Sequence, residues 1–164
     1  MQQNLHEIIR VNHAGEYAAK HIYLGQLKIL RNHKVILEMQ QAELVHLEYF
    51  EQQLIKNQIR PSALLPVWHA ASTILGVASA LFGEKAAMAC TKAVEEVIGE
   101  HYNTQIQNLD AGELKETITK FAADELEHLN TAVNYKAEEA ICYSPLSAIV
   151  KFGCTLAIKI AKKI

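Results

Sequence analysis

A repeated arrangement of glutamate and histidine constrains the fold of this chain more than any other feature. Glu16 is followed 27 residues later by an ExxH motif at 43–46, and Glu95 is followed 30 residues later by a second ExxH motif at 125–128. Residues three apart share one face of a helix, so the two polar side chains of each motif point in one direction. Two antiparallel helical hairpins would therefore bring four carboxylates and two imidazoles to one level of a bundle interior.

The apolar periodicity around these residues is that of long helices. Apolar residues recur at intervals of three and four over 5–31, 34–58, 84–108 and 113–140, and again over 146–162. Only three prolines and seven glycines occur in 164 residues, which is too few for the frequent turns of a β sandwich or barrel. The sequence predicts an all-α, four-helix bundle forming a single domain over 1–164, with two additional lipophilic or amphipathic helices.

Overall composition excludes other classes of protein. Sixteen basic and eighteen acidic residues give a net charge of −2, which disfavours a dedicated nucleic-acid-binding protein. Cys90, Cys142 and Cys154 are far apart with no CxxC motif, so we expect reduced core cysteines and neither a disulfide scaffold nor a zinc site. The N-terminal sequence has no basic and apolar regions of a secretory signal.

The predicted cluster of carboxylates has the composition of a metal centre. Four anions cannot be buried without compensation, because the cost of removing them from water is too high. Two divalent cations would neutralise them, and mixed carboxylate and imidazole ligands suit iron or manganese. Glu95 and Glu96 compete for one ligand position, and the spacing alone does not separate them.

Seven sequence blocks resemble a known family, the di-iron demethoxyubiquinone hydroxylases of ubiquinone biosynthesis, which are ferritin-like in fold. The blocks are RVNHAGEY at 10–17, IYLGQ at 22–26, RPS at 60–62, AMACT at 87–91, VEE at 94–96, HYN at 101–103 and DELEH at 124–128. The resemblance covers essentially the whole chain. It implies the fold already predicted and a specific reaction and ligand set.

The resemblance assigns metal ligands and a second pair of functional residues. The implied iron ligands are Glu16, Glu43, His46, Glu95, Glu125 and His128. The resemblance thereby selects Glu95 over Glu96, and it implies that Glu95 and either Glu43 or Glu125 bridge the two irons. His101 and Tyr102 match a dyad that the family links to the quinone and to proton or electron movement. The alternative for this dyad is a buried polar pair that lines the bundle.

The implied reaction is an O₂-dependent monooxygenation at two irons, with the ring of a polyprenyl demethoxyubiquinol as the substrate. The chain has no GxGxxG fingerprint, so we expect the electrons to come from an external reductant. The resemblance implies that this reductant is NADH. Other ubiquinone-biosynthesis proteins and a second copy of the chain are further candidate partners. Two alternatives stay open: a ferritin-like ferroxidase that handles iron, and a metal-free helical scaffold at a membrane.

Two lipophilic segments predict contact with a membrane surface. No formal charge occurs over 61–83, and we expect this segment to be an interfacial or tunnel-lining helix with Trp68 as an anchor, or else an ordinary buried helix. The segment 144–164 combines an apolar face with four lysines, which favours binding to an anionic lipid surface or packing on the bundle. The predicted location is the cytoplasmic face of a bacterial inner membrane, or the matrix face of the mitochondrial inner membrane for a mature eukaryotic form.

Overall fold

A computed structural model describes residues 5–164, and every regular element in this range is helical. Six α-helices and one short 3₁₀ turn follow one another along the chain. They are α1 (Leu5–Ile29), α2 (Lys34–Lys56), α3 (Leu65–Leu81), α4 (Glu84–Asn108), α5 (Glu113–Asn134), the 3₁₀ turn (Ala137–Glu139) and α6 (Tyr143–Ala161). The all-α prediction is confirmed. Residues 1–4 of the predicted domain lie outside the described residues.

Helices α1, α2, α4 and α5 form the predicted four-helix bundle. Tight connections join α1 to α2 and α4 to α5, so each pair is an antiparallel hairpin. His33 caps the N-terminus of α2, because its Nδ1 accepts a hydrogen bond of 3.3 Å from the amide of Ile36. The buried rings of Phe50 and Phe121, with centroids 5.7 Å apart, join α2 to α5 at one end of the bundle. The ferritin-like architecture is thereby confirmed.

The fourth predicted helix ends earlier than the sequence indicated. Helix α5 stops at Asn134, and Lys136 adopts a left-handed conformation with a φ of 62° before the 3₁₀ turn. The predicted end at residue 140 was wrong. Ala137 and Ala140 continue the apolar pattern of the helix, but they lie in the 3₁₀ turn and just after it, and from there they are buried against the core. The last helix begins at Tyr143, before the predicted residue 146, and Pro145 is accommodated in its first turn.

Helix α3 packs closely along α1 through two glycines. A Cβ atom added to Gly25 would lie 2.6 Å from the carbonyl oxygen of Thr73, and one added to Gly76 would collide with the carbonyl group of Ile22. The two backbones therefore approach each other where neither has a side chain. By contrast, nothing lies within 4 Å of a Cβ atom placed on Gly15 of α1.

Helix α6 lies on α4 and is held there by a salt bridge. Lys151 Nζ lies 2.5 Å from Glu96 Oε2, and the neighbouring Val150 is buried. Two large apolar residues of the same helix, Ile149 and Phe152, are 69% and 71% exposed. By length and composition alone, α6 is a helix that could cross a membrane, whereas α3 at 17 residues is shorter than a span.

The three cysteines occupy different environments. Cys90 is fully buried and burial raises the pKa of its thiol to about 12. Cys154 is half-buried, and Cys142 is exposed. All three are free thiols, but the expectation of core cysteines was wrong for Cys142, because it lies in the exposed turn before α6.

Candidate metal centre

Six side chains from four helices meet in the interior of the bundle. They are the six predicted from the sequence: Glu16 on α1, Glu43 and His46 on α2, Glu95 on α4, and Glu125 and His128 on α5. All six are buried, and the most exposed, His128, has only 7% of its surface accessible. The i, i+3 spacing within each ExxH motif places both of its side chains on the inner face of its helix.

Potential ligand atoms fall into two overlapping groups. One comprises Glu16, Glu43, His46 and Glu125, and the other comprises Glu43, Glu95, Glu125 and His128. Within each group, one atom from every residue lies within 4.8 Å of the others. Glu43 and Glu125 belong to both groups, whereas Glu95 belongs to the second alone. Glu43 and Glu125 are therefore the two residues common to both groups, whereas Glu95, which the resemblance implied as a bridging residue, belongs to one group only.

Each histidine faces carboxylates from both hairpins. Nδ1 of His46 lies 3.2 Å from Oε1 of Glu125 and 3.7 Å from Oε2 of Glu16. Nδ1 of His128 lies 3.2 Å from Oε1 of Glu43 and 3.4 Å from Oε2 of Glu125. The two hairpins thus interlock at this level, because each imidazole faces a carboxylate of the other hairpin.

Burial and mutual repulsion dominate the titration of the carboxyl groups. Desolvation and the nearby Glu43 hold the pKa of Glu16 well above its usual range, and desolvation and Glu125 do the same for Glu95. Burial also acts to raise the pKa of Glu125, but the imidazoles of His128 and His46 outweigh it and lower this pKa to about 2. Without a cation, the cluster can be neutralised only by protons that it retains.

The imidazoles respond in the opposite direction. Burial acts to lower the pKa of His46, but the carboxylates of Glu125 and Glu16 raise it to about 11. Burial also acts to lower the pKa of His128, but the carboxylates of Glu125 and Glu43 raise it to about 9. In the metal-free chain, these raised pKa values make both imidazole rings positively charged at neutral pH.

The residues present fit two metal ions. Buried polar atoms normally have hydrogen-bond partners. Eight carboxylate and imidazole atoms of this cluster have none of proper geometry: Oε2 of Glu16 and Glu95, both carboxylate oxygens of Glu43 and Glu125, and Nδ1 of His46 and His128. A donor set of carboxylates and imidazoles without thiolates suits iron or manganese.

Glu96 is held away from this centre. Its two oxygens each lie 2.5 Å from a lysine Nζ, one from Lys92 and the other from Lys151. Burial acts to raise the pKa of Glu96, but these two ammonium groups lower it. The structure thus separates Glu95 from Glu96, which the spacing of the sequence alone did not do.

Two tyrosines donate hydrogen bonds to the unshared carboxylates. The hydroxyl of Tyr102 donates to Oε1 of Glu16, and the hydroxyl of Tyr23 donates to Oε1 of Glu95 over 2.6 Å. Both tyrosines are only 1% exposed. Tyr102 was predicted as a site residue and Tyr23 was missed, although each tyrosine follows a predicted ligand on its own helix by seven residues.

His101 lies beside a buried amide pair and not against a carboxylate. Its Nε2 lies 2.9 Å from the side-chain nitrogen of Gln105, which also donates to Asn12 over 2.8 Å. Burial lowers the pKa of His101 to about 4, so the ring is neutral at physiological pH. Its ring centroid lies 6.4 Å from that of Tyr102. The two residues are neighbours, but their polar atoms have different partners.

Asp124 is a further residue that the sequence analysis missed. Its Oδ2 lies 3.1 Å from Nε2 of His46, on the side of the ring opposite the cluster. A carboxylate at the outer nitrogen of an imidazole fixes the orientation and tautomer of the ring. The signal was available, because Asp124 directly precedes the second ExxH motif.

An apolar cavity of about 280 Å³ lies between α1, α3, α4 and α6. Its walls include Gly15 and Val94, which are the sequence neighbours of Glu16 and Glu95. Trp68 also lines it, and its indole nitrogen donates to the hydroxyl of Ser62 over 3.3 Å. Part of the segment 61–83 therefore forms a wall of this cavity.

Comparisons with known proteins agree with this arrangement of residues. The family model described as "Ubiquinone biosynthesis protein COQ7" matches residues 3–161. A protein of Dictyostelium discoideum named "NADPH-dependent 3-demethoxyubiquinone 3-hydroxylase, mitochondrial" is 46% identical over 99% of this chain and 79% of its own length. The human protein of the same name is 40% identical over 96% of this chain and 76% of its own. "3-Demethoxyubiquinol 3-hydroxylase" of Rhodospirillum rubrum is 41% identical, over 95% and 76%. The chain therefore belongs to the COQ7 family of ubiquinone biosynthesis proteins.

Proposed function

We propose that this chain is a di-iron monooxygenase that hydroxylates the ring of a polyprenyl demethoxyubiquinol. The observation that supports this most is the pair of overlapping ligand groups, which is buried within the bundle and shares Glu43 and Glu125. Family membership supplies the substrate class, since the named relatives are demethoxyubiquinone or demethoxyubiquinol hydroxylases.

The six buried residues divide into terminal and bridging ligands in this proposal. Glu16 and His46 would hold one iron, Glu95 and His128 would hold the other, and the two shared carboxylates would bridge them. When bound, such an iron pair would activate O₂, so that one oxygen atom is transferred to the ring and the other is reduced to water with two electrons from the external reductant. Four carboxylates balance the four positive charges of two ferrous ions, which removes the cost of burying the anions without partners.

The surrounding residues exclude water and fix the ligands. Each of the six ligands is at most 7% exposed, so an oxidising species at this level would be protected from solvent. Asp124 orients the ring of His46. His101, with its pKa lowered to about 4, is neutral, and its Nε2 lies beside the side-chain amide of Gln105 and not against one of the six ligands.

The substrate route in this proposal is the apolar cavity beside the cluster. Its lining is almost entirely aliphatic and suits an isoprenoid chain. Ile149 and Phe152 on α6, and Ile74 on α3, are exposed apolar side chains on the two helices that form its outer wall. Exposed apolar side chains together with lysines favour binding to an anionic lipid surface. We therefore propose that the protein binds peripherally to a membrane, either the bacterial inner membrane or the mitochondrial inner membrane.

A reduced nicotinamide nucleotide is the proposed external reductant. The names of several relatives specify NADPH. We therefore propose NADPH as the reductant in preference to NADH, which the sequence resemblance implied. The ferroxidase alternative is not favoured, because the handling of iron requires no apolar cavity next to the metal ligands. A ferroxidase would differ most clearly from a hydroxylase in that it would form no hydroxylated quinol.

The proposal is tested by following the quinol product. Anaerobically purified protein is loaded with ferrous iron and mixed with demethoxyubiquinol and O₂, and the product is identified by mass spectrometry. We expect a gain of one oxygen atom in the wild type and at least a 100-fold loss of product with Glu125→Gln. Glu127→Gln is the matched control, because Glu127 lies in the same motif and is exposed. Iron binding without any hydroxylated product would contradict the proposal.

A further inference from the structure

A second repeat lies on the helices that carry the two unshared carboxylates. In α1, Tyr23 follows Glu16 by seven residues, and in α4, Tyr102 follows Glu95 by seven residues. Two helical turns separate the members of each pair, so glutamate and tyrosine lie on the same face of their helix. The two halves of the bundle therefore each carry a glutamate and a tyrosine in the same order.

The two pairs exchange partners across the bundle. Tyr102 of α4 donates its hydrogen bond to Glu16 of α1, while Tyr23 of α1 donates its own to Glu95 of α4 over 2.6 Å. From Glu16 to Tyr23 the chain advances seven residues along α1, while the residue contacted on α4 moves back by seven, from Tyr102 to Glu95. This is the pattern expected for antiparallel helices. The contacts are thus reciprocal, and each hydroxyl is buried beside the carboxylate that it contacts.

The hydrogen bonds divide the carboxylates into two kinds. Oε1 of Glu16 and Oε1 of Glu95 each accept a hydrogen bond from a tyrosine hydroxyl, and in both residues Oε2 has no hydrogen-bond partner. In Glu43 and Glu125, by contrast, neither oxygen accepts a hydrogen bond of proper geometry, although the two imidazoles lie close to them. A terminal carboxylate can bind a metal through one free oxygen, whereas a carboxylate that bridges two metals through both oxygens must have both of them free. The distribution of tyrosine hydroxyls therefore matches the division into unshared and shared residues.

We propose that Tyr23 and Tyr102 are a matched pair of positioning residues, one for each metal position, that restrict Glu95 and Glu16 to binding through a single oxygen. This inference rests on the metal centre of the proposed function. In this inference, Tyr23 orients Glu95. Tyr102 orients Glu16 and does not need to contact the quinol. Charge-assisted hydrogen bonds of this kind are about twice as strong as neutral ones and hold a carboxylate in one orientation.

Cobalt titration of crossed variants tests the pairing. His128→Ala disables the second ligand group and leaves the first, and His46→Ala does the reverse. Into each background we introduce Tyr23→Phe or Tyr102→Phe and measure the binding of Co²⁺ alone by anaerobic calorimetry and by its visible absorption. Tyr49→Phe is the matched control, because this half-buried tyrosine lies outside both groups.

The expected result is a crossover. Loss of an outer hydrogen-bond partner typically lowers metal affinity about 10- to 100-fold. We expect this loss for Tyr102→Phe when only the first group is intact, and for Tyr23→Phe when only the second is intact. The opposite combinations and Tyr49→Phe should change affinity less than about twofold. Equal effects of both tyrosine variants in both backgrounds, or no effect in either, would overturn the pairing.

Two features keep this test decisive. If a His→Ala background does not fold, as judged by circular dichroism, the tyrosine variants are measured in the otherwise unchanged chain, where each should weaken one of two Co²⁺ binding steps. Weakening of both steps by one variant would then contradict the inference. The titration requires neither quinol, reductant nor O₂. A protein that shows the crossover but does not hydroxylate would therefore refute the proposed function alone.

Discussion

The stability that metal ions confer should depend on whether a ligand is shared. A cation that binds only the folded chain at 100 times its dissociation constant adds about 2.7 kcal/mol to the free energy of unfolding. Two ligand groups therefore give about 5.4 kcal/mol in the wild type. At ~2–4 °C per kcal/mol for a chain of this size, the Tm should rise by about 11–22 °C.

Substitutions should divide this gain according to the geometry. Glu125→Gln removes a residue of both groups, so we expect almost no increase in Tm upon addition of ferrous iron. Glu16→Gln removes a residue of one group only, and about half of the gain, ~2.7 kcal/mol, should remain. Glu127→Gln should behave as the wild type, because this side chain is exposed.

The metal-free proteins provide an independent check of the same reasoning. Because the pKa of Glu16 is held above its usual range, this carboxyl group favours folding when protonated, and this contribution is lost as the pH rises. Glu16→Gln should therefore leave the metal-free chain at least as stable as the wild type at pH 7. Differential scanning calorimetry under anaerobic conditions measures both quantities. Equal losses of metal-dependent stability in Glu16→Gln and Glu125→Gln would refute the assignment of shared and unshared ligands.

Three further predictions concern packing, pH and the cavity. Gly76→Ala should destabilise the fold by about 1–3 kcal/mol in urea unfolding, because its Cβ would collide with α1, whereas Gly99→Ala, with open space around it, should stabilise by ~0.4–1 kcal/mol. Burial lowers the pKa of His13 to about 4, so stability should fall between pH 6.5 and 4, and at pH 5 the wild type should have lost about 2 kcal/mol more than His13→Gln. Equal acid sensitivity would contradict this. Ala18→Phe should displace about two methylenes of a long isoprenoid tail, ~1.6 kcal/mol, and raise KM about 15-fold for long-tailed but not short-tailed quinols, while Ala123→Phe, which is exposed, should not. A change in KM for both quinols alike would exclude the cavity as the tail site.

The arrangement of the centre was largely predictable from local geometry. An i, i+3 motif fixes two side chains on one face, and a spacing of 27–30 residues returns the chain to the same level of a hairpin. Neither step requires knowledge of distant contacts. The repeat of glutamate and tyrosine was also visible in the sequence, because Tyr23 follows Glu16 and Tyr102 follows Glu95 by seven residues.

Other features depended on contacts between distant parts of the chain. Glu96 is bound by Lys92 on its own helix and also by Lys151, which is more than fifty residues away in the sequence, and the second of these contacts could not be predicted. The end of α5 depended on how Ala137 and Ala140 pack after a left-handed residue, which periodicity does not reveal. The sharing of Glu43 by both ligand groups follows from how the two hairpins cross, and hydropathy carries no information about it.

The most direct test of the central claim is the amount of product formed in a single turnover as a function of iron content. The protein is loaded anaerobically with zero, one or two ferrous ions per chain, mixed with reduced demethoxyubiquinol and exposed to ¹⁸O₂, and the quinol is analysed by mass spectrometry. A di-iron monooxygenase should form product that carries one ¹⁸O atom, in proportion to the fraction of chains with both ions bound. Full product at one iron or none, or oxygen that derives from water, would contradict the account.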